Sequence, residues 1–134
     1  ATVIASPFVF DTSPWDTKAE QQAYDDKYGG GFTDNWRRDV GAVFGSEATF
    51  SEWDPFNQIR RQFQMSDLPQ LRLRLLLTVG DQDSLGLYPH NMHLHEEMKR
   101  YFLLHEWYVQ KGVGHGTVED PYLMDWLNDK AKGE

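Results

Sequence analysis

The sequence predicts an α/β fold in which about three parallel strands are flanked by helices. Apolar or alternating stretches at 2–10, 71–79 and 105–110 predict the strands, and helical patterns lie between and after them. Strands that alternate with helices are typical of parallel sheets. The chain has 134 residues, of which 40% are hydrophobic, and this size and composition suit one domain with a buried core. We therefore expect a single α/β unit over 1–134.

The unit is predicted to begin with a strand and a long helical insertion. Thr2 to Phe10 is rich in Val, Ile and Phe, with Pro7 near its end, so 1–10 is predicted as a buried strand. The next segment, 11–69, is too long for a simple crossover between parallel strands. We therefore predict a lid-like insertion of short helices.

Capping residues divide this insertion into helices. Thr17 and Glu20 fit a capping box, and the helix that they begin is expected to stop at Gly29. Asp34 and Asp54 are the predicted caps of two further helices. The insertion is thus expected to contain at least three helices.

The remainder, 70–134, is predicted as strand, helix, strand, helix. Leu71 to Val79 begins with alternation and becomes fully apolar, as an inner strand of a parallel sheet does. A helix is predicted from Pro89 to Leu103 and a strand from His105 to Gln110, and a last helix follows a glycine-rich loop. The predicted buried positions of the two helices are Leu94, Met98, Tyr101, Phe102, Leu123, Trp126 and Leu127.

Charge and composition exclude several classes of partner and site. The chain has 21 acidic and 13 basic residues, so its net charge of −8 argues against binding to nucleic acid or to anionic membranes. It has no cysteine, which excludes disulfides and thiolate chemistry. Its longest apolar run, Leu75 to Leu77, is far shorter than the roughly 20 residues of a membrane helix. We expect no nucleic-acid partner and no membrane partner.

Two polar loops carry the candidate chemistry, and each follows a predicted strand. The first, GDQDS, contains Asp81 and Asp83, and the second, GVGHG, contains His115. Catalytic groups of open α/β sheets gather at the carboxyl ends of the strands. An acid followed by a histidine is the end of the chain order Ser, Asp/Glu, His of α/β-hydrolases. In such a triad the histidine takes the nucleophile's proton, and the carboxylate holds the histidine's tautomer.

Five segments together match the strand and loop pattern of a known family: IASPFVFD, WDPFNQI, LLLTVGDQDS, NMHLHEEM and GVGHG. They resemble the C-terminal part of the α/β-hydrolase esterase group that includes esterase D, feruloyl esterases, enterochelin esterases and mycolyltransferases. The resemblance covers most of the chain. It implies that Asp83, the acid of a GxxD motif, is the triad acid and that His115, in GxGH, is the triad base. Asp81 would be a neighbouring loop residue.

The nucleophile of this family lies on a GxSxG elbow before the strand matched to 1–10, and this chain contains no GxSxG. The resemblance therefore implies the C-terminal portion of a serine ester hydrolase, whose nucleophile lies upstream. The substrate would be a small-molecule ester, and no metal or organic cofactor is implied. The open edge of the sheet would be covered by the missing N-terminal half or by a second copy.

Two serines of this chain are weaker candidates for the nucleophile. Ser6 is excluded because Pro7 lacks the N–H that the residue after the nucleophile donates to the oxyanion. Ser46 precedes Asp83 and His115 in the chain, but the bulky Phe44 stands where an elbow needs a small residue. A helix cap is therefore the favoured role for Ser46.

Two other interpretations of the function stay open. The chain could be a non-catalytic, hydrolase-derived domain that binds a partner or associates with itself. It could also be a self-contained enzyme that uses Ser46, which is the least favoured interpretation.

Other chemistry-bearing side chains are predicted to be structural. On a helix, His93 and His95 point apart, and His90 and His93 are predicted to face the polar side, so no metal site is expected. Among the tryptophans, Trp107 and Trp126 are predicted to pack in the core. Those of the insertion are candidates for substrate contacts, although packing is the default expectation; they are Trp15, Trp36 and Trp53.

Overall fold

A computed structural model describes residues 2–62, 74–115 and 120–132. Within these ranges the chain forms three strands and six helices. In chain order they are β1 (Thr2–Ala5), α1 (Lys18–Tyr28), α2 (Thr33–Phe44), α3 (Glu47–Trp53), α4 (Pro55–Gln62), β2 (Leu75–Gly80), α5 (Leu87–Arg100), β3 (Glu106–Gln110) and α6 (Pro121–Lys132). The predicted α/β class is confirmed, and α1 to α4 lie between the first two strands.

The strands form one parallel sheet in which β2 lies between β1 and β3. Val3 pairs in register with Leu76, and Val79 pairs with Val109. All residues of β2 from Leu76 to Gly80 are buried. A central strand that is covered on both faces requires apolar side chains in both directions, which explains the continuous apolar run of this segment.

Two hydrophobic cores lie on opposite faces of β2. Leu77 packs with side chains of α4 and α5, whereas Leu76 packs with side chains of α6. Successive side chains of a strand point to opposite faces, so these neighbours enter different cores. The buried members are Phe56, Ile59, Leu77, Leu94 and Met98 in one core and Leu76, Leu123 and Trp126 in the other. Helices therefore cover both faces of the central strand.

The first strand is shorter than predicted, because β1 ends at Ala5 and the chain up to Phe10 is irregular. Ser6 adopts a φ of 45°, which lies outside the β region and turns the chain away from the sheet. Pro7, which follows, has no N–H to donate to a neighbouring strand. Phe10 is nevertheless buried, so the apolar pattern correctly indicated burial but not strand structure.

Two further boundaries differ from the prediction. The second strand is observed over Leu75–Gly80, and 71–73 lie outside the described residues. The helix α5 stops at Arg100, because Phe102 takes a φ of 57° that a helix cannot contain. The prediction that Phe102 is buried is wrong, since 76% of it is exposed. Of the other predicted positions, Leu94, Met98, Leu123 and Trp126 are buried, and Tyr101 and Leu127 are partly buried against the cores.

The capping predictions for α1 and α2 have opposite outcomes. The capping box is confirmed, because the Glu20 N–H donates to Thr17 Oγ1 at 3.2 Å and the Thr17 N–H donates to Glu20 Oε2 at 2.7 Å. The cap predicted at Asp34 is wrong, because α2 begins at Thr33 and Phe32 occupies the N-cap position. Asp34 lies instead in the first turn, where an acid is favourable to the helix dipole.

A buried arginine holds the first two helices of the insertion together. The Arg37 guanidinium donates to both carboxylate oxygens of Asp25, at 2.8 and 3.0 Å. Its Nε donates to Thr12 Oγ1 at 3.0 Å, and a further N–H donates to the Gln21 carbonyl at 3.3 Å. A guanidinium that is removed from water needs such a full set of acceptors. The insertion thus has a polar as well as an apolar interior.

The cap predicted at Asp54 is confirmed, because its Oδ1 accepts the Phe56 N–H at 3.4 Å at the start of α4. Asp54 is buried, and this burial raises the pKa of its carboxyl group to about 6 from the ordinary value of 3.8. The folded chain therefore holds this proton more tightly than the unfolded chain. The contribution of Asp54 to stability is most favourable below pH 3.8 and is lost as the pH rises through about 6.

Replacing Asp54 with asparagine is expected to raise the free energy of unfolding by about 1–2 kcal/mol at pH 8 and to change it little at pH 4. Asparagine keeps an oxygen that can accept the Phe56 N–H, but it brings no charge into the buried site. Urea unfolding of both proteins at the two pH values measures the effect. An effect of equal size at both pH values would contradict the raised pKa.

Candidate functional site

The loops that follow β2 and β3 are hydrogen-bonded to each other at the carboxyl edge of the sheet. The Gln82 N–H donates to the Val113 carbonyl at 3.0 Å. The Gly112 N–H donates to Asp81 Oδ1 at 2.7 Å. Asp81 therefore joins the two loops, which is a structural role for the residue predicted only as a neighbour of the acid.

This contact between the loops depends on the glycine at the end of β2. A Cβ atom at Gly80 would lie 2.2 Å from the Val113 carbonyl oxygen and 2.5 Å from the Gly114 carbonyl oxygen. Real Cβ atoms essentially never approach backbone so closely. Only glycine lets the second loop cross the end of the central strand at this distance.

The structure brings the predicted acid and base into direct contact. His115 Nδ1 lies 3.0 Å from Asp83 Oδ2, although the two residues are 32 positions apart in the chain. The Asp83 side chain is fully buried, whereas 34% of the His115 side chain is exposed. The other oxygen of the carboxylate, Oδ1, accepts the Leu85 N–H at 2.8 Å. The carboxylate is thus fixed by its own loop and bonded to the imidazole of the next loop.

This geometry determines which nitrogen of His115 can act as a base. Asp83 is the acceptor at Nδ1, so Nδ1 carries the hydrogen of the neutral ring. The lone pair then resides on Nε2, for which the described part of the chain offers no hydrogen-bond partner. An exposed imidazole with a free Nε2 and a buried carboxylate behind Nδ1 is able to take up a proton from a bound hydroxyl group.

An aromatic surface that the sequence reasoning missed lies beside this imidazole. The ring of Phe8 packs edge-to-face on His115 with a centroid distance of 5.6 Å. Phe8 also contacts Phe32 at 6.2 Å, and both phenylalanines are partly exposed. The sequence offered no signal for this position, because Phe8 lies within the predicted strand 1–10, whereas β1 ends at Ala5.

Of the two serines considered as nucleophiles, one is buried and the other caps a helix. The hydroxyl oxygen of Ser6 is buried and has no hydrogen-bond partner among the described residues, so it is not accessible to a substrate in this conformation. Ser46 is the N-cap of α3 and accepts the Thr49 N–H at 3.2 Å. The prediction that Ser46 caps a helix is confirmed.

The prediction that His90 faces the polar side is wrong, because only 3% of it is exposed. Its Nε2 lies 3.1 Å from the Gly29 carbonyl and its Nδ1 lies 2.8 Å from the Tyr24 hydroxyl. Nε2–H therefore donates to the carbonyl, and Nδ1 accepts from the tyrosine. Burial lowers the pKa of His90, so this ring is held in its neutral form.

His93 is likewise committed to a structural network. Its Nε2 lies 2.8 Å from Asp11 Oδ2, and its Nδ1 lies 3.0 Å from the Tyr28 hydroxyl. Arg60 donates to both oxygens of the same Asp11 carboxylate. Although burial opposes it, the hydrogen bonds from His93 and Arg60 lower the pKa of Asp11. The network joins the segment after β1 to α1, α4 and α5.

Most of the tryptophans pack against other side chains, as the sequence analysis expected by default. Trp107 and Trp126 belong to the two cores. Trp36 contacts Phe10, which is buried, with a centroid distance of 5.3 Å. The remaining two differ from each other: Trp15 packs on Phe50 at 5.8 Å, whereas Trp53 is exposed.

The described residues form neither a metal-binding cluster nor a membrane-spanning helix. No set of three or more His, Asp or Glu side chains is arranged to enclose a metal ion in the described part of the chain. None of the helices formed by these residues is both long enough and apolar enough to cross a bilayer.

Comparisons of the chain with protein-family models, with curated proteins and with solved structures find no match. The chemical interpretation of the carboxyl edge therefore rests on the side chains described above.

Proposed function

We propose that this chain is the C-terminal portion of a serine ester hydrolase, in which Asp83 and His115 are the acid and the base of a Ser–His–Asp triad. The observation that carries the proposal is the 3.0 Å hydrogen bond between His115 Nδ1 and the buried Asp83 carboxylate. The pair lies at the carboxyl ends of neighbouring parallel strands, which is where α/β enzymes place their catalytic groups.

The geometry supports a two-stage acyl transfer. His115 Nε2 takes the proton of the nucleophilic serine hydroxyl as its oxygen attacks the ester carbonyl, and the resulting imidazolium protonates the departing alcohol. A water molecule then gives its proton to Nε2 and attacks the acyl-enzyme, which releases the acid and restores the serine. Asp83 keeps Nδ1 protonated and stabilises the imidazolium in both stages.

The remaining parts of the machinery would come from outside this chain. The sequence contains no GxSxG, so the serine and the oxyanion-hole donors would belong to a preceding segment or to another chain. The substrate is proposed to be a small-molecule ester, and the partly exposed Phe8 beside His115 offers an apolar contact to it. This mechanism uses no metal or organic cofactor.

The open edge of the sheet gives such a segment a place to bind. Among the described residues β1 pairs only with β2, so its outer edge presents unpaired N–H and C=O groups. Unpaired strand edges bind further strands. The strand that bears the nucleophile, or a second copy of this chain, would complete the sheet there.

Fluorophosphonate labelling, read by intact mass and peptide mapping, tests the proposal. We expect no label on Ser46 of this chain. We expect a labelled serine when the chain is expressed as the full product of its gene together with any chain that co-purifies with it, and this labelling should be lost in His115→Ala. Ser51, which lies within α3 and is partly exposed, provides a control for non-specific labelling.

Each other outcome favours a specific alternative. A label on Ser46 would make the chain a self-contained enzyme. If neither the full gene product nor a chain that co-purifies with it acquires a label that depends on His115, the proposal fails, and the chain is instead a non-catalytic, hydrolase-derived domain that binds a partner or associates with itself.

A further inference from the structure

Two partly exposed phenylalanine rings form one apolar surface beside the candidate base. The ring of Phe8 contacts both the His115 imidazole and the ring of Phe32, with centroid distances of 5.6 and 6.2 Å. Phe8 is 45% exposed and Phe32 is 38% exposed. Single exposed apolar side chains are common on soluble proteins and need no explanation. Two that contact each other and an exposed imidazole form a surface on which an apolar ligand can bind.

The backbone that carries each ring is fixed by hydrogen bonds. The Asn91 side chain donates to the Pro7 carbonyl at 2.9 Å, directly before Phe8 in the chain. Phe32 occupies the N-cap position of α2, where its carbonyl accepts the Trp36 N–H at 3.0 Å. The two rings are therefore exposed on a backbone that is held in place.

A buried polar network further anchors the start of α2, which carries Phe32. Thr33, the next residue, is fully buried, and its Oγ1 donates to Asp25 Oδ1 at 2.8 Å. Arg37 donates to both oxygens of the same carboxylate. Satisfied buried networks of this kind make a local structure rigid. Binding to a surface that is already ordered costs little conformational entropy, which favours a role in recognition.

The position of this surface indicates which part of an ester it would contact. In the proposed mechanism His115 Nε2 protonates the departing alcohol, so the alcohol oxygen must come within about 3 Å of this imidazole. The group attached to that oxygen then lies next to the imidazole, where the ring of Phe8 packs. The acyl carbonyl, by contrast, is held by the serine and the oxyanion-hole donors, which would come from outside this chain.

On the basis of the proposed function, we propose that Phe8 and Phe32 bind the alcohol group of the ester and select an apolar, aromatic alcohol. Edge-to-face and offset contacts between aromatic rings are favourable beyond the burial of their area. A charged or polyhydroxylated alcohol would lose hydrogen bonds to water at this surface, and two phenyl rings offer it no replacement. The insertion would thus contribute Phe32 to the recognition of the substrate.

Binding of benzyl alcohol, the alcohol half of such an ester, can be measured on this chain without the nucleophile. We expect the NMR signals of the His115 ring to shift saturably with benzyl alcohol but not with glycerol. Phe8→Ala and Phe32→Ala should each weaken this binding about twofold to tenfold, because each removes one aromatic contact. Long-range ¹⁵N–¹H spectra in which His115 stays protonated at Nδ1 establish that the variants keep the site.

Phe102→Ala is the matched control for these variants. Phe102 is also exposed, but it precedes the amino end of β3, whereas His115 follows the carboxyl end of that strand. This variant should bind benzyl alcohol as the original chain does. If benzyl alcohol causes no saturable shift, or if Phe8→Ala and Phe32→Ala bind it as tightly as Phe102→Ala does, the rings are not a ligand site and the proposal is wrong.

A second measurement separates failure of this proposal from failure of the esterase function. In the full gene product, with any chain that co-purifies, kcat/KM for benzyl acetate is divided by kcat/KM for ethyl acetate. We expect Phe32→Ala to lower this ratio about twofold to tenfold and Phe102→Ala to leave it unchanged. A His115-dependent fluorophosphonate label with an unchanged ratio in Phe32→Ala would retain the esterase function and overturn the alcohol site. Absence of that label would overturn both.

Discussion

Replacing Gly80 with alanine is expected to lower the free energy of unfolding by about 3–5 kcal/mol. The added methyl group would lie 2.2 Å from one backbone carbonyl oxygen and 2.5 Å from the next, in the loop that contains His115. A flexible side chain could move aside, but these atoms belong to the backbone. Relief of the clash therefore requires the loop to leave the end of β2, at the cost of its bonds to Gln82 and Asp81.

Gly114→Ala is the matched control for this prediction. Its added methyl group would lie 3.8 Å from the Gln82 carbonyl oxygen, which is ordinary contact, so we expect a change below about 1 kcal/mol. Urea unfolding of the three proteins gives the comparison, and amide exchange of the Gln82 N–H reports whether the loops have separated. Equal stabilities of Gly80→Ala and Gly114→Ala would show that the loops do not approach as closely as described here.

Features that depend on neighbouring residues in the chain could be predicted from the sequence. The capping box at Thr17 requires only residues three apart, and the burial of β2 follows from its own apolar run. Asp34 shows where such reasoning fails. Its residue type suits a cap, but Phe32 takes the cap position, one residue before the helix begins at Thr33.

Features that depend on distant residues could not be predicted. The burial of His90 requires the Tyr24 hydroxyl and the Gly29 carbonyl, which approach it from 66 and 61 positions away. The end of β1 at Ser6 also depends on a residue that is distant in the chain. The positive φ of Ser6 accompanies a bond from its N–H to the Thr78 carbonyl of β2, and no local signal specifies that contact.

The candidate site could be predicted from the sequence only in part. The order of acid and histidine after predicted strands indicated Asp81 or Asp83 together with His115, and the family resemblance implied Asp83 as the acid. Their separation of 3.0 Å is set by the approach of two loops over Gly80, and this depends on three-dimensional packing. The sequence pattern and the resemblance could therefore suggest the pair. The tautomer of His115, however, follows only from its hydrogen bond to Asp83 in the structure.

In the proposed assembly of this chain with a nucleophilic serine, replacing Asp83 with asparagine is expected to lower kcat for ester hydrolysis by about 10⁴. The asparagine amide can keep an oxygen toward the Leu85 N–H, which Asp83 Oδ1 accepts at 2.8 Å, and would then present its NH₂ group to His115. Because an NH₂ group only donates, His115 must accept at Nδ1 and carry its hydrogen on Nε2. An imidazole in this tautomer has no lone pair with which to take the serine proton.

The tautomer can be measured on this chain alone, without the nucleophile. Long-range ¹⁵N–¹H spectra should show His115 protonated at Nδ1 in the original chain and at Nε2 in Asp83→Asn. Asp81→Asn is the control, because its oxygen can still accept the Gly112 N–H and it does not contact the imidazole. If the tautomer of His115 is unchanged in Asp83→Asn, the carboxylate does not orient the base. If the tautomer changes but the assembled enzyme keeps its activity, the pair is real but is not the triad.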